Sequence, residues 1–216
     1  MSDTGHRMLS FRGPMNAPVE IHSTVLVLAL IFLGLTGSFN DVHFDTVFFG
    51  LFVGSLLLHE LGHGWACHVQ GLRLRRIVVH GGGDFVEHFG EATREQQEFI
   101  AIMGLLTSLA TWAIASLIWP LLDWGLLAWS IAMIARINLF LVVLNLLPMN
   151  PLDGGRLFQL VMARVLPRAS VRRLSGLLGT AIALVWIPVM VLSFLTYGVT
   201  LFLLPSVRAH WQMARQ

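Results

Sequence analysis

The stretch Thr46-Val-Phe-Phe-Gly-Leu-Phe-Val-Gly-Ser-Leu-Leu-Leu-His-Glu-Leu-Gly-His-Gly-Trp-Ala-Cys-His-Val69 decides how this chain is read. From Thr46 to Leu58 it carries no charge, and His59-Glu60-Leu61-Gly62-His63 then falls inside the same apolar run. The run is close to the ~20 residues that an α-helix needs to cross a hydrocarbon core. On a helix, His59 and His63 stand one turn apart on one side, so both imidazoles can reach one zinc ion at about 2.0–2.1 Å. Glu60 lies about 100° around the helix from His59, beside such a metal without having to bind it. There it can take a proton from a water whose pKa the metal lowers to ≈ 7. His59 and His63 are therefore read as metal ligands and Glu60 as the general base. With the histidine and glutamate content of this chain, the pattern is expected by chance roughly 0.01 times. A glutamate in an apolar run is also costly unless it has a task or a partner.

The rest of the chain extends this reading outward. Of its 216 residues 56% are hydrophobic and only 12% charged, with a mean hydropathy of +0.73. A soluble domain is about a quarter charged. The shortage of ionic side chains is the decisive figure, because a solvated surface needs them. Further apolar runs cover Thr24–Phe39, Phe99–Leu122, Trp124–Leu147 and Leu174–Leu204. The last is too long for one untilted helix and contains Pro188 and Gly198, so it reads as a tight pair. The expected fold is an all-α polytopic membrane protein with five or six transmembrane helices. Between the second and third spans, Arg76-Ile-Val-Val-His80, Gly81-Gly82-Gly83 and Asp84-Phe-Val-Glu-His88 read as a small membrane-associated β-hairpin.

All basic side chains are arginine, the formal charge is +2, and no basic patch alternates with aromatics, so no nucleic-acid partner is expected. The lone Cys67 excludes a disulfide framework and a thiolate metal cluster. Arg73, Arg75 and Arg76 follow the second span; Arg156, Arg164, Arg168, Arg172 and Arg173 follow the fourth. The connections on the other side carry Asp41, Asp45 and Asp123 and no arginine. By the positive-inside rule, the N-terminal tail and the arginine-rich loops are cytoplasmic. Arg136, within the fourth run, must snorkel, pair or mark a shorter helix.

A catalytic zinc usually has three protein ligands and one open position. His68 is five residues past His63 and off the shared face. A metzincin pattern would need histidine and glycine where Val69 and Ala66 stand. Glu87 and Glu91 in the polar loop are candidates, and so is Asp153, in Asn145-Leu-Leu-Pro-Met-Asn-Pro-Leu-Asp-Gly-Gly-Arg156. The prolines and glycines of that segment break a helix at membrane depth, which is tolerated where protein or a water-filled cavity surrounds the backbone.

Taken together, the histidine–glutamate motif in one span, Asn145-x-x-Pro148 and Leu152-Asp153-Gly154-Gly155 resemble the site-2 protease family of intramembrane zinc metalloproteases. The resemblance runs from about Thr46 to Val165. It implies one zinc per chain held by His59, His63 and Asp153, Glu60 as base, and Asn145 beside the substrate backbone or the developing oxyanion. It also implies that the hairpin around Gly82 meets an extended substrate. The implied activity is hydrolysis of a peptide bond in or near a transmembrane segment of a membrane-embedded peptide or protein. The bilayer and a membrane regulatory partner would be its associates, and a bacterial inner membrane, with the site toward the cytoplasm, its place. On this reading residues 1–20 are a cytoplasmic tail, 21–205 the membrane-embedded metalloprotease domain with its core at 46–165, and 206–216 a C-terminal tail. The alternatives are a membrane metalloprotease with Glu87 or Glu91 as third ligand, and a metal transporter or silent scaffold. One departure stands out: the family commonly has glycine-proline and then asparagine early in the third span, whereas here Gly104 precedes Leu105 and Ser108 takes the polar place.

Overall fold

The computed structural model of the chain describes residues 7–25, 39–79, 85–123, 125–197 and 205–215. The quoted stretch lies within one long helix, α1 (Phe39–Val69). The chain divides into two compact units, residues 1–143 and 144–216.

In the first unit, α1 is followed by strands β3 (Leu74–Val79) and β4 (Phe85–His88), then by α2 (Arg94–Ile118) and α3 (Leu126–Asn145), whose last two residues fall past the unit boundary. β3 and β4 pair antiparallel, as the hairpin reading expects; the Gly81–Gly83 turn, including Gly82, lies outside the described residues. The sheet is larger than that hairpin. The polar lead, read above as a tail, folds into β1 (Arg7–Arg12) and β2 (Pro18–His22), and the order is β1-β2-β3-β4. β2 lies parallel to β3, with Val19 opposite Ile77 and Ile21 opposite Val79. Val19, Ile77, Val78 and Val79 are fully buried, so the run of β-branched residues in β3 is covered on both faces. The sheet rests on the end of α1, where a Cβ on Gly64 would lie 3.1 Å from Ile77 Cδ1 and 3.0 Å from Met15 Cε.

One arginine ties the strands together. Arg76 on β3 donates from Nε and Nη2 to the two carboxylate oxygens of Glu87 on β4, at 2.9 and 3.0 Å, and from Nη1 to Glu20 on β2 at 3.2 Å. These hydrogen bonds from Arg76 hold the Glu87 carboxyl below its ordinary range, and Glu87 in turn keeps the guanidinium firmly charged. Ahead of α2, Thr93 and Gln96 form a reciprocal capping box, which fixes where the polar loop ends and the next helix begins. α2 packs closely on α1: a Cβ on Gly62 would strike Thr107 Oγ1 and come within 2.8 Å of the Met103 carbonyl. Deeper in the apolar region, Asn138 on α3 donates to Ser55 Oγ on α1 at 2.9 Å, a polar link one turn before His59. Arg136 does not shorten α3, which is continuous through it; its side chain is exposed on the outer face.

The second unit holds α4 (Asp153–Met162), α5 (Arg168–Tyr197) and α6 (Val207–Ala214). The pair read into Leu174–Leu204 is corrected: α5 is one continuous helix with Pro188 inside it, as membrane helices permit, and residues 198–204 lie outside the described residues. Within the stretch expected to be a C-terminal tail, α6 packs against the first half of α5. A Cβ on Gly176 would meet Ala214 and one on Gly179 would meet His210, so the two helices run antiparallel.

Four helices among the described residues are long and apolar enough to cross a membrane: His43–Val69, Arg94–Leu121, Leu126–Asn145 and Arg168–Leu192. The chain is a multi-pass helical membrane protein with a small sheet. The first apolar run, Thr24–Phe39, falls almost wholly outside the described residues.

Candidate metal centre

His59, Glu60 and His63 project from α1 into the interior, with exposures of 4%, 5% and 6%. The two imidazoles meet edge to face, their ring centroids 4.8 Å apart. What orients them is α2. Ile100, Gly104 and Ser108 follow one another at intervals of four residues and so share one stripe of that helix. The Ile100 carbonyl accepts from His63 Nδ1 at 2.7 Å, and Ser108 Oγ bonds His59 Nδ1 at 3.0 Å. Between them Gly104 leaves the space the rings fill: a Cβ there would overlap the His63 imidazole and lie 2.9 Å from His59 Nε2.

These contacts fix the chemistry of the rings. A backbone carbonyl can only accept, so His63 Nδ1 carries the hydrogen and the Nε2 of the neutral ring is a lone-pair donor atom. His59 has the same tautomer when its Nδ1 donates to Ser108. The two Nε2 atoms are then turned toward each other at 3.2 Å. Two neutral imidazoles gain nothing from that arrangement. Around zinc it is natural, because ligands at 2.0–2.1 Å in tetrahedral geometry place their donor atoms roughly 3.3 Å apart. The pair therefore fits a zinc ion on the spacing of its own atoms, with outer partners of the kind that orient metal-binding histidines. Glu60, one residue from His59 and as deeply buried, is available as a base at the same place.

In the second unit, Asp153 opens α4, half-buried in its first turn. The glycines after it have a packing reason. A Cβ on Gly154 would lie within 2.6 Å of the Leu146 and Leu147 carbonyl oxygens, and one on Gly155 would press on Met149 and Asn150, so the turn closes directly on the 146–150 backbone. Asn145 is the last residue of α3 and is half-buried. His59 and His63 in the first unit, and Asp153 in the second, are the residue types a zinc site uses. Of the rival acids, Glu87 has both of its oxygens engaged by Arg76, and Glu91 is exposed in the loop.

Sequence reasoning named His59, Glu60, His63 and Asp153 as candidates and missed what α2 contributes. Gly104 and Ser108 were noted there only as a departure from a family pattern. Their spacing from Ile100 carried the signal, but which face of α2 meets α1 is a tertiary fact.

A buried zinc-type histidine pair inside a bundle of membrane-crossing helices defines the class: a polytopic membrane protein built around a metal centre. Comparison with known proteins narrows it. Peptidase family M50 matches residues 86–186, which include Asp153 and begin after the histidine motif. The zinc metalloprotease MJ0392 of Methanocaldococcus jannaschii is 26% identical over 172 residues, covering 79% of this chain and 50% of the relative. Stage IV sporulation protein FB of Bacillus subtilis is 28% identical over 160 residues, covering 73% and 52%. The chain thus spans about half the length of the curated relatives it matches. The solved structure of the site-2 protease from Methanocaldococcus jannaschii shares the fold, with a TM-score of 0.70 over 96% of this chain and 95% of that one, at 22% identity. The chain is thus similar to the zinc metalloproteases of peptidase family M50 and has the fold of a site-2 protease.

Proposed function

We propose that this protein is an intramembrane zinc endopeptidase that hydrolyses a peptide bond in or near the transmembrane segment of a membrane protein. The observation that carries the proposal is the histidine pair: two Nε2 atoms 3.2 Å apart, their Nδ1 atoms held by α2, with Glu60 buried beside them. His59 and His63 hold the metal and Asp153 supplies its third ligand, one zinc per chain. Bound there, zinc acidifies water to a pKa near 7 and polarises a carbonyl oxygen. Glu60 takes the proton from the attacking water and returns it to the leaving amine. Asn145 and the Gly82 hairpin position an unwound, extended substrate. Unwinding is required because a helical substrate keeps its carbonyls in its own hydrogen bonds. The centre faces the cytoplasmic side of a bacterial inner membrane, the side of Arg73, Arg75 and Arg76. A membrane regulatory partner selects the substrate.

The test is Glu60→Gln in the full chain, purified in detergent, assayed for zinc content and for cleavage of a membrane-tethered reporter. Zinc retained at one per chain with cleavage lost is the expected result. Cleavage that persists in this variant would overturn the role given to Glu60.

A further inference from the structure

From Gly154 to its end the chain carries Arg156, Arg164, Arg168, Arg172, Arg173, Arg208 and Arg215 and not one aspartate or glutamate; every acid lies earlier. The fold gathers several of these charges at one place. Arg168, Arg172 and Arg173 occupy the first two turns of α5, all exposed, at the start of the apolar span Arg168–Leu192. Because α6 runs antiparallel to α5 and Ala214 sits against Gly176, Arg215 comes back to that same end. Its guanidinium lies 5.1 Å from the ring of Trp211, which is 45% exposed. α6 turns His210 and Ala214 inward and leaves Arg208, Trp211 and Arg215 outward.

The positive-inside rule accounts for arginine between two spans. It does not account for a helix of eight residues, about 12 Å long and too short to cross anything, that is docked on a glycine notch and brings Arg215, just past its end, to the group. An exposed tryptophan at the end of an apolar span belongs at headgroup level. Arginine recognises a phosphodiester by paired donors, and clustered arginines at a span's end are drawn to anionic lipid. We infer that the first turns of α5 together with α6 form a binding surface for anionic phospholipid headgroups, with Arg168, Arg172, Arg173 and Arg215 on the phosphate and Trp211 at the glycerol level. The inference does not depend on zinc or on proteolysis.

To test it, the full chain is purified in neutral detergent micelles doped with equal amounts of phosphatidylglycerol and phosphatidylcholine. Retained lipid is counted by native mass spectrometry, with a parallel titration by inorganic phosphate. Preferential retention of phosphatidylglycerol is expected, with inorganic phosphate binding at least about tenfold more weakly. Each arginine near a membrane surface contributes about fivefold in affinity, so R168Q/R173Q/R215Q should lose roughly a hundredfold. The corresponding triple lysine variant keeps the charge and should stay within about tenfold of the unaltered protein. If the glutamine triple does not fold, R215Q alone, at an exposed position outside α6, should lose about fivefold. Equal retention of the two lipids, inorganic phosphate binding as tightly as the lipid, or glutamine variants that keep full phosphatidylglycerol affinity would each overturn the assignment.

Discussion

Substituting Gly104 by alanine tests the seat of the metal centre with a single methyl group. The new Cβ would overlap the His63 ring and stand 2.9 Å from His59 Nε2, where carbon needs about 3.5 Å or more. Neither ring can simply withdraw. His63 is tied to the Ile100 carbonyl at 2.7 Å and His59 to Ser108 at 3.0 Å, both on the helix that carries the added methyl. The rings, or α2 itself, must therefore shift by more than about half an ångström, whereas zinc ligation tolerates roughly 0.2 Å. Forcing an extra methyl into a packed site costs about 1–3 kcal/mol. Placed on metal binding, that is a loss of about fivefold to more than a hundredfold in zinc affinity. The assay is zinc titration of the metal-stripped protein in detergent against a chromophoric chelator. Gly176→Ala is the control: its Cβ strikes Ala214, so it should disturb the contact between α5 and α6 and spare the imidazole seat. A Gly104→Ala protein that binds zinc as tightly as the unaltered one would refute the view that this glycine exists to seat the imidazoles.

Other consequences follow the same logic. Ser108→Ala removes the outer partner of His59 and should weaken zinc binding about 10–100-fold in the same titration. Because Arg76 holds Glu87 below its ordinary pKa of 4.5, the unfolded chain binds the proton first. The stability from this pair is present above that value and fades as pH falls through the lower folded one; Glu87→Gln should flatten this acid limb in a thermal-melt series. Gly179→Ala places a methyl against His210 and should loosen α6 from α5, read as faster proteolysis at the C-terminus with zinc content unchanged.

The motif-bearing helix was legible because its signals are local: an apolar run of bilayer length and two histidines one turn apart. β3 and β4 were legible for the same reason, as short neighbouring strands with glycines between them. β1 and β2 were not, because β2 pairs with a strand more than fifty residues later and its Val19 and Ile21 look unremarkable beside Pro18 and Glu20. Pro188 misled in the other direction, since a proline that ends a soluble helix can be carried within a membrane one. α6 was hidden because little in its own eight residues demands burial; Gly176 and Gly179 of α5 provide the place for it. At the candidate metal centre the two histidines announced themselves by spacing, whereas Gly104 and Ser108 gained meaning only once α2 was seen to turn that stripe toward α1.

The parallel pairing of β2 with β3 also constrains insertion. Strands of one sheet must lie on one side of a bilayer, so β2, which precedes α1, and β3, which follows it, share a compartment. Compartment reporters placed before Arg7 and after Arg73 must then give the same answer in any orientation of the protein. An insertion error that skipped one crossing would leave β3 without its neighbour.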